Sequence, residues 1–272
     1  MQISHPVDKI FTVPDESASF HKSPEDQLVT TAAKIPDLQH LAHGYLSQPQ
    51  NASKDNIEKL IYYAQSLDCE LSDWASNTPI TWSYSAALDA SILARSEFTL
   101  RQVHRYPDFY TARVWNFYRV SRLIVQSLLL RAIPWLSVST ESRQTESNRT
   151  RIERSSMELV NDICASVPFL LGRDLSKMKL PATNCRRELE NIWQTRCPKD
   201  KDNGARRAGR FSLLWPLYIA SSAPPIPEAQ REWMRLQLRL ITEHGESQAR
   251  CLCHTESQIL LGGTEKFRFD CV

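Results

Sequence analysis

The fold of this chain is decided by the stretch PDFYTARVWNFYRVSRLIVQSLLLRAIPWL, which runs from Pro107 to Leu136. Apolar residues cover most of the circumference of a helix built on it, and a helix that is apolar on nearly all sides belongs in the middle of a domain. Pro107 stands where the first turn would begin, a position at which proline's missing N–H costs no hydrogen bond. We therefore predict a long central helix over residues 107–136.

Four polar residues interrupt this apolar surface and lie within one arc of the predicted helix: Asn116, Arg119, Arg122 and Gln126. An unpaired guanidinium in the protein interior is strongly destabilising, so the arc must face solvent or find partners inside the protein. Two interpretations follow. In the first, Asn116, Arg119 and Arg122 link neighbouring helices; in the second, they hold an anionic or polar effector between helices.

Two further helices flank the central one in sequence. Residues 54–76 repeat apolar side chains at intervals of three and four, as one buried stripe requires: Ile57, Leu60, Ile61, Ala64, Leu67, Leu71 and Trp74. A second pattern of this kind ends at Leu171, with Gly172 placed as its C-terminal cap. The polar run 140–156 is expected to be a solvated loop that leads into this second helix.

The N-terminal region and two connecting segments carry less periodicity. Residues 1–53 are rich in Ser, Pro, His and Asp and are expected to be loosely ordered, apart from a short helix after Ser23-Pro24. Helices are also expected over residues 88–105 and 186–195. No segment has a convincing strand pattern.

The C-terminal region is predicted to hold two more helices. The first covers residues 211–222 and is interrupted by Pro216. The second covers residues 227–244 and places four apolar side chains on one face: Trp233, Leu236, Leu240 and Ile241. Ahead of them, three arginines are interpreted as part of a solvated loop, with phosphate contact as the alternative: Arg206, Arg207 and Arg210.

Glycine is scarce in this chain. Its 272 residues include seven glycines, where average usage would give about 19. Phosphate-binding loops and tight hairpins depend on glycine, and the motifs G-x-G-x-x-G, G-x-x-x-x-G-K-[ST] and G-x-S-x-G are absent. We therefore predict an all-α fold, an irregular array of helices around the long central one.

Charge and cysteine content exclude several classes of protein. The 33 basic and 31 acidic residues give a formal charge of +2, which is too balanced to indicate a nucleic-acid or membrane surface as a partner. No secretory signal or bilayer-spanning stretch is read, so a soluble intracellular protein is expected. The seven scattered cysteines are expected to be reduced thiols, since Cys251, Cys253 and His254 lack the four ligands of a zinc site.

Catalytic chemistry is hard to find in the sequence. His40 and His43 stand three residues apart, but no H-E-x-x-H motif completes a metal site around them. No two aspartates form the D-D pair that helical metal-dependent synthases use. We therefore predict no catalytic residue, no cofactor and no metal, and we interpret the tryptophans and tyrosines as core residues, with a ligand pocket as the alternative.

A series of motifs lies in order between about residues 54 and 249: Leu67-Asp68-x-Glu70-Leu71-x-x-Trp74, Pro79-x-x-Trp82-x-Tyr84, Tyr106-Pro107-Asp108, Trp115-Asn116-x-Tyr118-Arg119-x-x-Arg122, Ile163 to Gly172, Gly209 to Leu217 and the helix from Trp233 to Ala249. Together they resemble the regulatory region of fungal zinc binuclear cluster transcription factors. The resemblance implies an all-helical domain that follows a DNA-binding module and modulates transcription. It also implies a nuclear location and a fungal source.

The sequence departs from this family at both ends. The family reads DNA with an N-terminal cluster of six cysteines, whereas the first cysteine here is Cys69, so the metal ligands cannot be carried over. The tail after Ala249, with Cys251, Cys253 and Gly262-Gly263, no longer resembles the family. A truncated gene model or a paralogue that lost its DNA-binding part would account for both departures.

We therefore expect a poorly ordered segment over 1–53, a helical regulatory domain over 54–250 and a divergent tail over 251–272. The expected function is nuclear transcription regulation through the transcription machinery, a DNA-binding factor or a small effector, without catalysis, membrane binding or sequence-specific DNA binding by this chain alone. A helical small-molecule-binding protein or enzyme of a fungal metabolic pathway is the alternative, and a non-functional remnant is a third interpretation.

These interpretations differ in what they expect of the central helix. A regulator should hold Asn116, Arg119 and Arg122 in structural contacts. An enzyme should instead have a deep pocket with converging titratable groups.

Overall fold

The computed structural model describes residues 23–47, 53–87, 98, 100, 102–137, 143–173, 175, 203–224, 226–243 and 252. The described helices are α1 (Pro24–Ala32), α2 (Ile35–Leu46), α3 (Lys54–Asn77), α4 (Phe109–Ser137), α5 (Arg143–Leu170), α6 (Asn203–Ser212), α7 (Leu214–Ser222) and α8 (Glu228–Glu243). A 3₁₀ turn (Ile80–Trp82) and two short strands, β1 (Ser85–Ala87) and β2 (Val103–Arg105), lie between α3 and α4. The predicted all-α class is confirmed.

The predicted central helix is α4, with a small change at its start. The side chain of Asp108 accepts a hydrogen bond from the backbone N–H of Thr111 at 2.7 Å, as an N-cap residue does. The first helical residue is therefore Phe109, and Pro107 lies just outside the helix. The predicted boundary at residue 107 is two residues early because a carboxylate cap and a proline at the first helical position give similar sequence signals.

Helix α4 occupies the centre of the described fold. It packs against α3 and α5 over most of its length, and α1, α2, α6 and α7 also contact it, while α8 packs on α7. Buried apolar side chains of α1 to α5, α7 and α8 form one continuous core cluster. The broad apolar surface of α4 is therefore explained by neighbours on several sides.

The short helix expected after Ser23-Pro24 is α1, whereas the loose order expected for the rest of the N-terminal region is wrong for residues 35–46, which form α2. Leu28 and Leu38 are fully buried in the common core. The indole N–H of Trp74 on α3 donates to the backbone oxygen of Pro24 at 2.6 Å. Ordered structure thus begins before residue 54, whereas residues 1–22 lie outside the described part of the chain.

The two strands contradict two expectations, that residues 88–105 form a helix and that no segment forms a strand. Strand β2 pairs antiparallel with β1, with Ser85 opposite Arg105 and Ala86 opposite His104, where a helix over 88–105 was expected. The pairing joins segments that are far apart in sequence and only three residues long, so no alternating pattern announces it. Most of the expected helix, over residues 88–97, lies outside the described residues.

Helix α5 begins earlier than predicted. The polar run 140–156 is helical from residue 143 onward rather than a loop. Its exposed charges form pairs along the helix, such as Arg149 with Glu153 at 2.9 Å, and pairs at this spacing stabilise a helix without an apolar face. Its end is as predicted, because Gly172 adopts a positive φ of 70° as a C-terminal cap.

The predicted helix over 211–222 is divided in two. Phe211 belongs to the end of α6, the chain turns at Leu213, and Pro216 lies in the first turn of α7, where its missing N–H breaks no hydrogen bond. The basic stretch is therefore helical and not a loop: Arg206, Arg207 and Arg210 all lie on α6.

The predicted apolar face of the last helix is confirmed for Ile241, which is buried, and for Trp233, which packs against the core, and it is wrong for the other two residues. Leu236 and Leu240 are exposed, and the buried side of α8 consists of Gln230, Met234, Gln237, Leu238 and Ile241. Because Gln230 and Gln237 lie on this buried side, the apolar pattern of the sequence does not mark it, which explains why the sequence predicts that Leu236 and Leu240 face the core. The expected helix over 186–195 and the tail over 251–272, apart from Leu252, lie outside the described residues. Across the described part of the chain, no helix has an apolar stretch long enough to cross a bilayer.

Candidate functional site

The polar arc of α4 faces the protein interior. Asn116 and Arg119 are fully buried, and the side chain of Arg122 keeps 14% of its exposure. A solvent-facing arc is therefore excluded, and the partners of these side chains decide what the arc does.

Arg119 is held by four neighbouring side chains. Its Nη1 donates to the Tyr106 hydroxyl at 2.7 Å and to Asn116 Oδ1 at 2.9 Å. Its Nη2 lies 3.4 Å from Nδ1 of His104. Its Nε lies 3.7 Å from a carboxylate oxygen of Asp162 and forms no hydrogen bond among the described residues. The buried positive charge is thus balanced by one carboxylate and several dipoles.

Aromatic rings surround the same guanidinium group. Its central carbon lies 5.0 Å from the ring centre of Tyr84, 5.7 Å from that of Trp115 and 5.8 Å from that of Tyr106. Aromatic faces attract a cation, and the flat guanidinium is weakly hydrated and stacks well on rings. These contacts replace part of the hydration that Arg119 loses on burial.

His104 is a neutral acceptor in this network. Burial first, and then the charge of Arg119, hold the pKa of His104 well below its ordinary value of 6.5. Its Nδ1 lies 3.1 Å from the Tyr106 hydroxyl and 3.4 Å from Nη2 of Arg119, which is a donor, so Nδ1 acts as an acceptor. Its Nε2 lies 3.7 Å from a carboxylate oxygen of Asp162 and 3.1 Å from the amide nitrogen of Gln102.

Asp162 closes the network at the protein surface. The Tyr84 hydroxyl donates to it at 3.3 Å and Gln102 donates at 3.4 Å. Burial raises the pKa of Asp162, while Arg119 and these two donors act in the opposite direction. Its side chain keeps 28% of its exposure, so it is the member of the network that reaches solvent.

Asn116 ties α4 to α5. Its side-chain amide donates to the hydroxyl of Ser166 at 2.9 Å, and that hydroxyl donates to the backbone oxygen of Ile163 at 2.7 Å. The chain of hydrogen bonds from Arg119 therefore ends on the backbone of the neighbouring helix.

Arg122 and Gln126 form a second polar layer that joins three helices. Nε and Nη2 of Arg122 donate to the two carboxylate oxygens of Asp68 on α3 at 2.8 and 2.9 Å, and Nη1 donates to Tyr118 at 3.1 Å. Gln126 donates both to Asp68 and to Ser155 on α5. A paired-donor contact of this kind is strong and fixes geometry, so this layer sets the positions of α3 and α5 on α4.

A cleft of about 330 Å³ opens beside both layers, between α3, α4 and α5. The walls of the cleft combine serine hydroxyls of α3 and α5, aromatic rings and two carboxylates. The lining residues are Ser72, Ala75, Ser76, Tyr84, Trp115, Tyr118, Arg122, Ser155, Glu158, Leu159 and Asp162. A smaller cavity of about 190 Å³ shares Glu158 and Asp162 with the cleft. Of the sequence-predicted stripe, only Arg122 lines the cleft, since Asn116 and Arg119 lie behind its wall.

The described residues do not assemble an accessible acid–base pair with a nucleophile. His104 and Tyr106 are fully buried and face Arg119. Burial raises the pKa of the Cys164 thiol to about 12, which makes it a poor nucleophile. Within the described ranges, no group of three or more His, Cys, Asp or Glu side chains is placed to hold a metal, and His40 and His43 therefore stay without a third ligand there.

Sequence reasoning missed four residues of this region: His104, Glu158, Asp162 and Ser166. The signal for Asp162 was present, since a carboxylate stands directly before the apolar stretch 163–171 of α5. His104 follows Val103 in a strand too short to produce a pattern. Glu158 and Ser166 look like ordinary helix residues, because only the packing of α5 on α4 gives them a role.

Comparison with known proteins gives one informative similarity. The chain is 34% identical over 143 residues to a protein of Emericella nidulans named Transcription factor dbaG. The aligned stretch covers 53% of this chain and 29% of that protein, so the chain spans less than a third of its relative. No family model matches the chain, and no solved structure matches it. The chain is thus similar in part to a fungal transcription factor.

Proposed function

We propose that the chain is a helical regulatory region of a fungal transcription regulator of the zinc binuclear cluster type. It acts in the nucleus through protein contacts or effector sensing and catalyses no reaction. The observation that carries the proposal is the 34% identity with Transcription factor dbaG over 143 residues. Its partners are the transcription machinery or a DNA-binding factor, and this chain alone does not recognise a DNA sequence.

The network around Arg119 supports this proposal. Its members Tyr84, Tyr106, Asn116 and Arg119 come from separate motifs that resemble those of the fungal regulators, and Asp68 and Arg122 from such motifs meet in the second polar layer beside it. Motif residues that serve an interior network of this kind hold neighbouring helices together. This is the arrangement expected of a regulator rather than an enzyme.

A tethering experiment tests the proposal. The chain is fused to an unrelated DNA-binding domain in a fungal host, and the output of a reporter gene carrying the matching site is compared with that of the DNA-binding domain alone. We expect the fusion to change reporter output and a fluorescent version of the chain to accumulate in the nucleus. Equal output from a folded, nuclear fusion and from the DNA-binding domain alone would contradict the proposal.

Direct DNA recognition is tested separately with purified chain. We expect no sequence-selective, salt-sensitive mobility shift of DNA fragments, because sequence-specific binders place cationic and base-reading side chains on one surface. A selective shift would show that the chain reads DNA itself.

A further inference from the structure

We propose that the cleft between α3, α4 and α5 binds a small organic cation, an amine whose apolar part lies against the aromatic side chains of the cleft. This inference rests on the proposed function, in its effector-sensing form, and names the chemistry of the effector. It replaces the anionic ligand that the arginines of the sequence suggested.

The size and walls of the cleft suit a small ring-bearing molecule. Its volume of about 330 Å³ lies at the lower end of the roughly 300–1,000 Å³ that ligand pockets occupy. Trp115 stands nearly perpendicular to two other aromatic rings, at 79° to Tyr84 and 89° to Tyr118. Arg119 already lies over the rings of Tyr84 and Trp115, and Arg122 lies over Tyr118, so these rings give a ligand an apolar wall while its charge is left to the carboxylates of the cleft.

The positive charges near the cleft are already occupied. Each donor-bearing nitrogen of Arg122 faces an acceptor on Asp68 or Tyr118. Arg119 lies behind the wall and donates to Tyr106 and Asn116. An anionic ligand would have to displace Asp68 from Arg122, and it would then leave a mostly buried carboxylate with no cationic partner among the described residues and only the amide of Gln126 as a donor.

The negative charges of the cleft are the ones that remain available. Glu158 is exposed and forms no hydrogen bond or ion pair with any residue that the structure describes. Asp162 reaches the cleft with 28% of its side chain exposed and is balanced from behind by Arg119. A ligand ammonium group placed between them would give Glu158 a charge-assisted hydrogen bond that no described residue supplies, and it would reach the exposed side of Asp162.

The test uses three probes that share a phenyl ring and a short chain but differ in charge: phenethylamine, 2-phenylethanol and phenylacetate. Each is titrated into the purified chain, and its Kd is read from the NMR signal of the Trp115 indole N–H, which donates to the Trp82 backbone oxygen at 2.7 Å beside the cleft. We expect phenethylamine to bind at least about tenfold more tightly than 2-phenylethanol, and phenylacetate to bind most weakly.

Two variants with the same change of charge locate the effect. Glu158→Gln removes the free carboxylate of the cleft, and Glu146→Gln removes an exposed carboxylate of the same helix that does not line it. We expect Glu158→Gln to weaken phenethylamine binding about tenfold, with 2-phenylethanol binding unchanged. Glu146→Gln should change neither affinity.

Three results would overturn the proposal. They are equal affinities for the three probes, equal effects of the two variants, and no shift of the Trp115 signal with phenethylamine at up to about 10 mM. The proposed function is judged separately by the reporter experiment. Binding without any reporter effect contradicts the proposed function alone, and a reporter effect without binding contradicts the cation site alone.

Discussion

Arg119 is a charged side chain with no solvent exposure, and such a group is stable only where the interior replaces its water. Two hydrogen bonds, a carboxylate at 3.7 Å and three aromatic rings supply that replacement. Burial lowers the pKa of Arg119, but Tyr106, Tyr84 and Asp162 outweigh that effect, so the group stays charged. The stability of the fold therefore depends on this one side chain more than on any exposed ion pair.

Replacing Arg119 with methionine should destabilise the protein strongly. The change leaves Asn116, Tyr106 and the carboxylate of Asp162 without their partner, and breaking a buried charge pair costs about 3–5 kcal/mol. Urea unfolding of the purified variant measures the loss.

The matched control is Arg113→Met on the same helix. Arg113 pairs with Glu25 at 2.6 Å but is half exposed, and exposed pairs contribute less than about 1 kcal/mol. Similar losses for Arg119→Met and Arg113→Met would show that the interior network contributes no more than a surface contact.

The buried His104 predicts a dependence of stability on pH. Its folded-state pKa lies well below 6.5, so below pH 6.5 the unfolded chain binds a proton that the folded protein does not. Stability therefore falls as pH drops below about 6.5, by up to about 1.4 kcal/mol per pH unit. Unfolding free energies measured between pH 5 and 7.5 should show this slope.

The contribution of His104 is isolated by comparing variants. His104→Gln should reduce the acid-side slope, whereas His40→Gln, a change at an exposed position of α2, should keep it. Asp162 works in the opposite sense at lower pH, because its raised pKa lets the folded state take up the proton first. An unchanged slope in His104→Gln would mean that the ring is charged in the folded protein.

At the scale of elements, local sequence patterns specify which residues form each helix, but a few close backbone contacts determine how the helices pack on one another. The backbone of α6 crosses the end of α5 so closely that a methyl group added to Gly209 would lie 2.3 Å from the backbone oxygen of Leu170. Phe109 at the start of α4 limits the same space at 3.2 Å. Glycine is therefore required at position 209, because two helix backbones nearly touch there.

Gly209→Ala should destabilise the protein by more than about 1 kcal/mol, even though alanine favours helices, because backbone atoms cannot move aside cheaply. Gly44→Ala on α2 is the matched control. A methyl group there meets nothing within 4 Å, so helix propensity should stabilise the protein by about 0.5–1 kcal/mol. Thermal unfolding of both variants gives the comparison, and stabilisation by Gly209→Ala would mean that α6 does not rest on α5.

At the scale of the whole molecule, one core joins the beginning and the end of the described chain. Helices α1 and α2 cover α3 and one side of α4, while α7 and α8 complete the core on α4 and α5. The two polar layers cross this core and link α3, α4, α5 and β2. Within the described residues, this single core leaves no boundary along which one half could unfold alone.

The chain should therefore unfold in one cooperative transition. Far-UV circular dichroism and tryptophan fluorescence should give the same urea midpoint, since both report the loss of one core. A chain that lacks residues 1–47 should have a lower midpoint, because it exposes the α3 face that Leu28 and Leu38 cover. Two separate midpoints for the intact chain would contradict a single core, and the absence of any cooperative transition would favour the interpretation of a non-functional remnant.

The sequence alone determined the fold class and the positions of the main helices along the chain. The all-α class, the bounds of α3 and α4 within about two residues and the cap at Gly172 follow from periodicity, and the cost of burying a charge shows only that Arg119 must face solvent or have partners. These features depend on neighbours within a few turns of the chain, which a pattern records directly. The prediction that 54–250 forms one domain stays a prediction. The helix expected after Ser23-Pro24 is α1, whereas α2 becomes recognisable only when it packs on α3 and α4.

Only the tertiary structure decided which side chains meet. The β1–β2 pair, the place of His104 and Asp162 around Arg119, and the free carboxylate of Glu158 in the cleft depend on residues that are distant in sequence, such as Ser85 and Arg105, 20 positions apart, and Arg119 and Asp162, 43 positions apart. The preference of the cleft for a cation follows from the same geometry, because Asp68 on a different helix has already taken the donors of Arg122. Charge in a sequence shows that partners are needed, but the fold determines which charges are left for a ligand.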